Sequence, residues 1–230
     1  MAGAAACGSD LLLPEPPGGG DNVALSKVGG DGQTGTVGEA LPAPLVVEVR
    51  TSRDEPAPGR MVAFEFTTEA GVVTPNTAVT NDAGQAVARW ELGTQPGAHT
   101  VTARMADVEG ESPVAEFTAE ARPASPDTLR AQSSVSQPGR RGSAVGTPPV
   151  VRVVDRFGNP VADVPVAWTV LTGQGTVSEP ITPTGADGTS TVTWTLGSRI
   201  GVHKLTAAVG GAGGKPVTGS PVTFTVTVLF

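Results

Sequence analysis

Groups suited to acid–base or metal chemistry are few in this chain of 230 residues: His99 and His203, a single cysteine at position 7, and the turn residues Asp82, Asp155, Asn159, Asp163 and Asp187. General acid–base catalysis needs a base within hydrogen-bond reach of its partners. The two histidines stand 104 residues apart, at equivalent positions of an internal repeat. They belong to separate domains and cannot pair in one site. Each has the parity of an inward residue at the start of a strand, which predicts a half-buried histidine near the end of its domain. Structural zinc sites are built from four Cys and His ligands, more than two separated histidines and Cys7 supply. The Asp and Asn residues carry the oxygens calcium prefers, but these residue types also close β-turns by bonding their own backbone. We read them as turn residues, with no catalytic residue, no metal and no cofactor.

The stretch Gly30-Asp31-Gly32-Gln33-Thr34-Gly35-Thr36-Val37-Gly38 invites comparison with a phosphate-binding loop. It lacks the lysine of such a loop and the strand-to-helix context. A bulged edge strand with glycines at positive φ is the expected structure.

What must position these residues is a duplicated strand pattern. Asn81-Asp82-Ala83-Gly84 feeds Gln85-Ala86-Val87-Ala88-Arg89-Trp90-Glu91-Leu92-Gly93, and Gly185-Ala186-Asp187-Gly188 feeds Thr189 to Gly197 with Trp194 in the place of Trp90. The register of 104 also matches Leu25 with Leu129, Pro56 with Pro160, Gly71 with Gly175, Gly97 with Gly201 and Ala103 with Ala207. Two copies of one domain follow. In the first, Ala86, Ala88, Trp90 and Leu92 share an inward face, as do Val62, Phe64 and Phe66. In the second, Val164, Val166, Trp168 and Val170 do so, with Trp168 where the first copy has Phe64. Trp168 and Trp194 are expected to pack against each other. The closing strands are Val114–Ala119, through Phe117, and Val222–Val228, through Phe224. The structural core is therefore predicted at Phe64, Trp90, Phe117, Trp168, Trp194 and Phe224.

Short strands at spacings of about 8 to 12 residues, punctuated by turns and without a helical period, describe two-sheet sandwiches. The predicted fold class is all-β, two tandem immunoglobulin-like β-sandwich domains. Their expected extents are 22–122 and 128–230, with a Pro-rich linker at 123–127 that reads as a short, semi-rigid hinge. No segment reads as helix.

Composition agrees: 31 Gly and 21 Pro, with 16% charged residues, suit many strands and turns. The net charge of −7, with its 15 basic residues scattered, excludes nucleic acid as a natural partner. A lone cysteine leaves neither domain an intrachain disulfide. With no Tyr and most aromatics facing inward, a carbohydrate-stacking platform is poorly supplied. Phe157, in a turn, is the exception and reads as a single exposed apolar residue.

At the N-terminus, small residues precede Cys7, and Gly8-Ser9-Asp10 and a Pro/Gly-rich tether follow it. This segment, 1–21, resembles the cleavage end of a bacterial lipoprotein signal peptide, in which the cysteine becomes the lipidated first residue. It departs from that pattern in lacking the basic and long apolar regions expected before the cysteine.

The second copy closely resembles the bacterial immunoglobulin-like domain of group 1, the module of intimins and invasins. The resemblance is carried by Asp155-Arg156-Phe157-Gly158-Asn159-Pro160-Val161, Val164-Pro165-Val166, Gly173-Gln174-Gly175-Thr176-Val177, the turn and strand from Asp187 to Gly197, Gly201, and Leu205-Thr206-Ala207. The first copy departs at Thr51-Ser52-Arg53-Asp54-Glu55-Pro56, which puts the conformation of that loop in question. The resemblance implies a non-enzymatic spacer of the cell envelope, and here a lipid anchor on Cys7 would hold it to an outer membrane, periplasmic or surface-exposed. The alternative is an adhesin that binds a host protein or glycan through second-domain loops such as Arg156 to Asn159.

Overall fold

The computed structural model describes residues 23–66, 68–108, 112–211 and 216–229. Cys7 and the tether lie outside them. In the first domain the strands are β1 (Ala24–Gly29), β2 (Gln33–Thr36), β3 (Leu45–Arg50), β4 (Met61–Phe66), β5 (Gly71–Thr74), β6 (Thr77–Val79), β7 (Gln85–Leu92), β8 (Gly97–Met105) and β9 (Val114–Arg122). They form sheets of order β1-β3-β7-β5 and β2-β9-β8-β4-β6. Alternation makes the two faces: along β7, Ala86, Ala88, Trp90 and Leu92 are buried while Val87, Arg89 and Glu91 are exposed. Between β1 and β2 the chain passes from one sheet to the other through Gly30 and Gly32, both at positive φ, and β2 runs as an edge strand parallel to β9.

The second domain repeats the plan with β10 (Thr128–Ala131), β11 (Ser136–Gly139), β12 (Val150–Val154), β13 (Pro165–Thr172), β14 (Thr176–Val177), β15 (Ile181–Pro183), β16 (Thr189–Thr191), β17 (Trp194–Thr195), β18 (Gly201–Ala208) and β19 (Val222–Val228). Its larger sheet has order β11-β19-β18-β13-β15, faced by β10-β12-β16 and the pair β14-β17. Each domain has its own core cluster, one from Val37 to Ala124 and the other from Leu129 to Val228.

Phe64, Trp90, Phe117, Trp168, Trp194 and Phe224 are all buried. Burying each large aromatic contributes a few kcal/mol, about 2 to 3. The ring partner of Trp168 is Phe224, with centroids 6.2 Å apart and planes tilted by 36°. Trp168 and Trp194 share one buried core cluster, but the ring contact of Trp168 is made within its own sheet, across the small Ala207 of β18 that lies between β13 and β19. One turn of 3₁₀ helix, Thr68–Ala70, interrupts the otherwise helix-free description. Its role is local: Trp90 Nε1 donates to the Ala70 carbonyl at 2.8 Å. In the second domain Trp168 Nε1 donates to Thr182 Oγ1 at 2.7 Å, while Trp194 Nε1 has no partner among the described residues.

Candidate functional site

A connected set of hydrogen bonds outside the sheets lies where the two domains meet. Strand β12 ends at Val154, and the chain turns through Asp155 to Pro160. The Asp155 amide donates to the Asn159 carbonyl at 2.9 Å and the Gly158 amide to the Asp155 carbonyl at 3.0 Å. The Asp155 side chain organises the turn from within: Oδ1 accepts from the amides of Phe157 and Asn159, each at 2.9 Å. Its other oxygen looks outward. Oδ2 accepts from the Asn159 side-chain amide at 2.9 Å and from the Ala124 backbone amide, in the segment joining the domains, at 3.0 Å.

Asn159 carries the contact onward, its Nδ2 donating to the Thr94 carbonyl of the first domain at 2.8 Å. Phe157 packs against the first domain's core cluster, and its ring lies where a side chain at Gly38 would stand, since a Cβ there would come within 2.6 Å of Cζ. Glycine is required at position 38 for that approach and for its φ of +68°. The Arg156 guanidinium sits 4.7 Å from the centroid of the Phe157 ring, within cation–π range.

Asp155 and Asn159 are both buried. Burial alone would raise the pKa of Asp155, but the donors from the Asn159 side chain and the amides of Ala124, Asn159 and Phe157 outweigh it and hold the carboxyl below its ordinary value. A charged carboxylate with four N–H donors is a fastener. Its lone pairs are committed, and among the described residues no group of three or more His, Cys, Asp or Glu side chains is arranged to hold a metal ion.

Two sequence expectations are corrected here. Phe157 is not a solitary exposed apolar residue: it is half-buried against the neighbouring domain. The loop Arg156 to Asn159 is not a free binding tip, because the turn that carries it faces the first domain. The linker, read as a hinge, is tied on both sides, with the Ala124 amide on Asp155 and the Asp127 amide on the Val154 carbonyl at 3.0 Å.

The departing loop of the first domain keeps the same turn by another means. The Thr51 amide donates to the Glu55 carbonyl at 2.9 Å, and Thr51 Oγ1 accepts from the amides of Arg53 and Glu55 at 3.3 and 3.4 Å. Threonine replaces the inner oxygen of Asp155 and has no second oxygen to reach outward. The signal that marks the joint was present in the sequence as this contrast between Asp155, Phe157 and Asn159 and their counterparts Thr51, Arg53 and Glu55.

The histidines are more buried than expected and stay apart. His99 Nε2 donates to the Gln95 carbonyl at 2.8 Å and His203 Nε2 to the Arg199 carbonyl at 2.9 Å, an acceptor that fixes the proton on Nε2. His203 Nδ1 is buried without a partner among the described residues. Asp187 closes its own turn, Oδ1 accepting from the Thr189 amide and hydroxyl. A surface concavity of about 630 Å³ is lined by Val23, Ala24, Ser26, Arg50, Thr51, Ser52 and Asp54. Its hydroxyls have no histidine beside them, and Arg50 pairs with Asp54 and Glu48.

These features define a tandem immunoglobulin-like protein whose elaborated site is a joint. Within the second domain, residues 148–213 match the family model of the bacterial Ig-like domain (group 1). Among solved structures, the Escherichia coli adhesin FdeC aligns at 17% identity and a TM-score of 0.52 over 90% of this chain and 64% of that one. Yersinia pseudotuberculosis InvD aligns at 16% identity and a TM-score of 0.50 over 90% of this chain and 57% of that one. The chain thus spans about two thirds or less of these relatives in fold. No curated protein matches it in sequence.

Proposed function

We propose that this chain is a non-enzymatic spacer of the bacterial cell envelope, displayed from a membrane by a lipid anchor on Cys7. The domains extend over 22–122 and 128–230 and are joined at 123–127. The observation that carries the reading is the Asp155 fastener, which binds turn, linker and neighbouring domain together; a spacer transmits position only if its joint resists bending. Support for the envelope location comes from the relatives in fold, which are bacterial adhesins, and from the sequence around Cys7. A ligand-binding role through Arg156 to Asn159 is disfavoured, since those residues serve the joint.

The test is a distance distribution by electron–electron spin resonance, with labels on Arg89→Cys and Thr169→Cys in a Cys7→Ser background. A spacer gives one narrow distribution that Asp155→Ala broadens. A broad distribution in the parent protein refutes the rigid joint. Metabolic labelling with a radioactive fatty acid tests the anchor separately, and Cys7→Ser should abolish incorporation.

A further inference from the structure

At the opposite end of the second domain from the joint, the strand ends of the larger sheet carry a surface with no counterpart in the first domain. Arg140 and Arg141 follow β11, Arg199 precedes β18 and Lys204 lies within it. All four are exposed, and none enters an ion pair or a side-chain hydrogen bond among the described residues. The ion pairs found there all lie in the first domain. Charge is divided between the copies: seven Lys and Arg face fourteen Asp and Glu over 22–122, but eight face four over 128–230. Of those four acids, Asp155, Asp163 and Asp187 sit in turns at the joint end. Glu179 is beside Pro180, level with Trp168 at mid-domain. The far end is cationic.

It is also aliphatic. Leu171, Ile200, Val202 and Leu229 are each more than half exposed. They are contiguous with the cations: Gly139 and Gly201 both pair with Val228, and Thr172 pairs with Lys204. Leu171 and Arg199 line one concavity of about 480 Å³. The first domain has Thr36, Gln95 and Thr100 in place of Arg140, Arg199 and Lys204, and Thr67, Pro96 and Ala98 in place of Leu171, Ile200 and Val202, while Leu229, beyond the longer final loop, replaces Arg122. Position 37, a buried valine in the end that receives a neighbouring domain, becomes exposed Arg141. This end is therefore not a repeat of the socket that seats a following domain.

We infer that the far end of the second domain docks on an anionic lipid bilayer, its cations at the phosphates and its aliphatic side chains entering the headgroup boundary. Unpaired basic residues are drawn to anionic lipid within a Debye length, and exposed aliphatics add apolar burial that a soluble polyanion does not offer. No aromatic platform for a sugar stands among the described residues here. The inference does not depend on lipidation of Cys7.

The unlipidated full chain is tested by co-sedimentation with phosphatidylglycerol-containing and pure phosphatidylcholine vesicles. Binding is expected only to the former and weakens with salt. Arg140→Glu/Arg141→Glu/Arg199→Glu lowers it by about tenfold or more, and so does Leu171→Ser/Ile200→Ser. Circular dichroism melts of each variant verify folding, and a polarity-sensitive dye on Val202→Cys shifts to the blue only with the anionic vesicles. The inference is overturned by equal binding to both vesicles, by no binding, or by tip variants that remain folded and bind like the parent. Heparin binding indifferent to the aliphatic substitutions overturns it in favour of a soluble polyanion. Salt-sensitive self-association without vesicle binding overturns it in favour of the acidic first domain of a second copy.

Discussion

The side-chain amide of Asn159 donates to the carbonyl of Thr94 at 2.8 Å, a bond that crosses from one sandwich to the other between residues 65 positions apart. The same nitrogen donates to the buried carboxylate of Asp155. One amide group thus couples the turn to the neighbouring domain.

Asn159→Ala removes both bonds, leaving Asp155 Oδ2 with the Ala124 amide alone and taking the Asn159 donor from the Thr94 carbonyl. A loss of about 1 to 3 kcal/mol is expected, read as a lower urea midpoint for the second domain. Proteolysis within 123–127 should quicken, because Asp155 Oδ2, the acceptor of the Ala124 amide, loses the Asn159 side-chain donor that helps position it. Unchanged midpoint and cleavage rate would show the bond to be incidental.

Acid should loosen the joint in a defined window. The folded pKa of Asp155 is depressed, so its contribution is fully present above the unfolded value, near ~3.9, and is lost as pH falls through the folded value. The spin-label distribution should stay narrow from neutral pH to about 4 and broaden below it. Asp155→Asn, which cannot titrate, should abolish that pH dependence while weakening the joint at all pH values.

Gly38 and Gly142 are repeat equivalents with φ of +68° and +67°. A Cβ at Gly142 meets nothing within 4 Å, whereas one at Gly38 enters the Phe157 ring. Alanine at either position carries the left-handed penalty of about 1 to 2 kcal/mol. Only Gly38→Ala should also broaden the interdomain distance, and identical behaviour of the two variants would remove Phe157 from the joint.

Trp90 and Trp194 offer a second matched pair. Trp90→Phe loses the bond to the Ala70 carbonyl, while Trp194→Phe loses no hydrogen bond found among the described residues. Chemical denaturation should find the first variant more destabilised by about 1 kcal/mol.

Adding a chelator should leave the melting temperature unchanged, since the four N–H donors on Asp155 occupy the oxygens a calcium ion would take. A fall of several degrees would mean that cations hold the turns.

Alternation was the most legible property of the chain. The inward face of β7 follows from period-two patterning, because a strand with one face on a core must place apolar residues at every second position. The altered loop from Thr51 to Pro56 was not legible: a hydroxyl replacing one carboxylate oxygen preserves a turn that residue identity alone suggests is lost. Likewise, Phe157 has the same local sequence whether its ring meets water or a neighbouring domain.

By itself the amino-acid sequence determined the repeat, the strand faces, the sandwich class and the scarcity of reactive groups, all set by local pattern and inventory. Only the tertiary structure decided that Asp155, Phe157 and Asn159 fasten two domains and that the cations and aliphatics at the far end lie side by side. Both depend on which segments distant in sequence become neighbours. Strand pairing and domain packing set that, and spacing along the chain does not encode it.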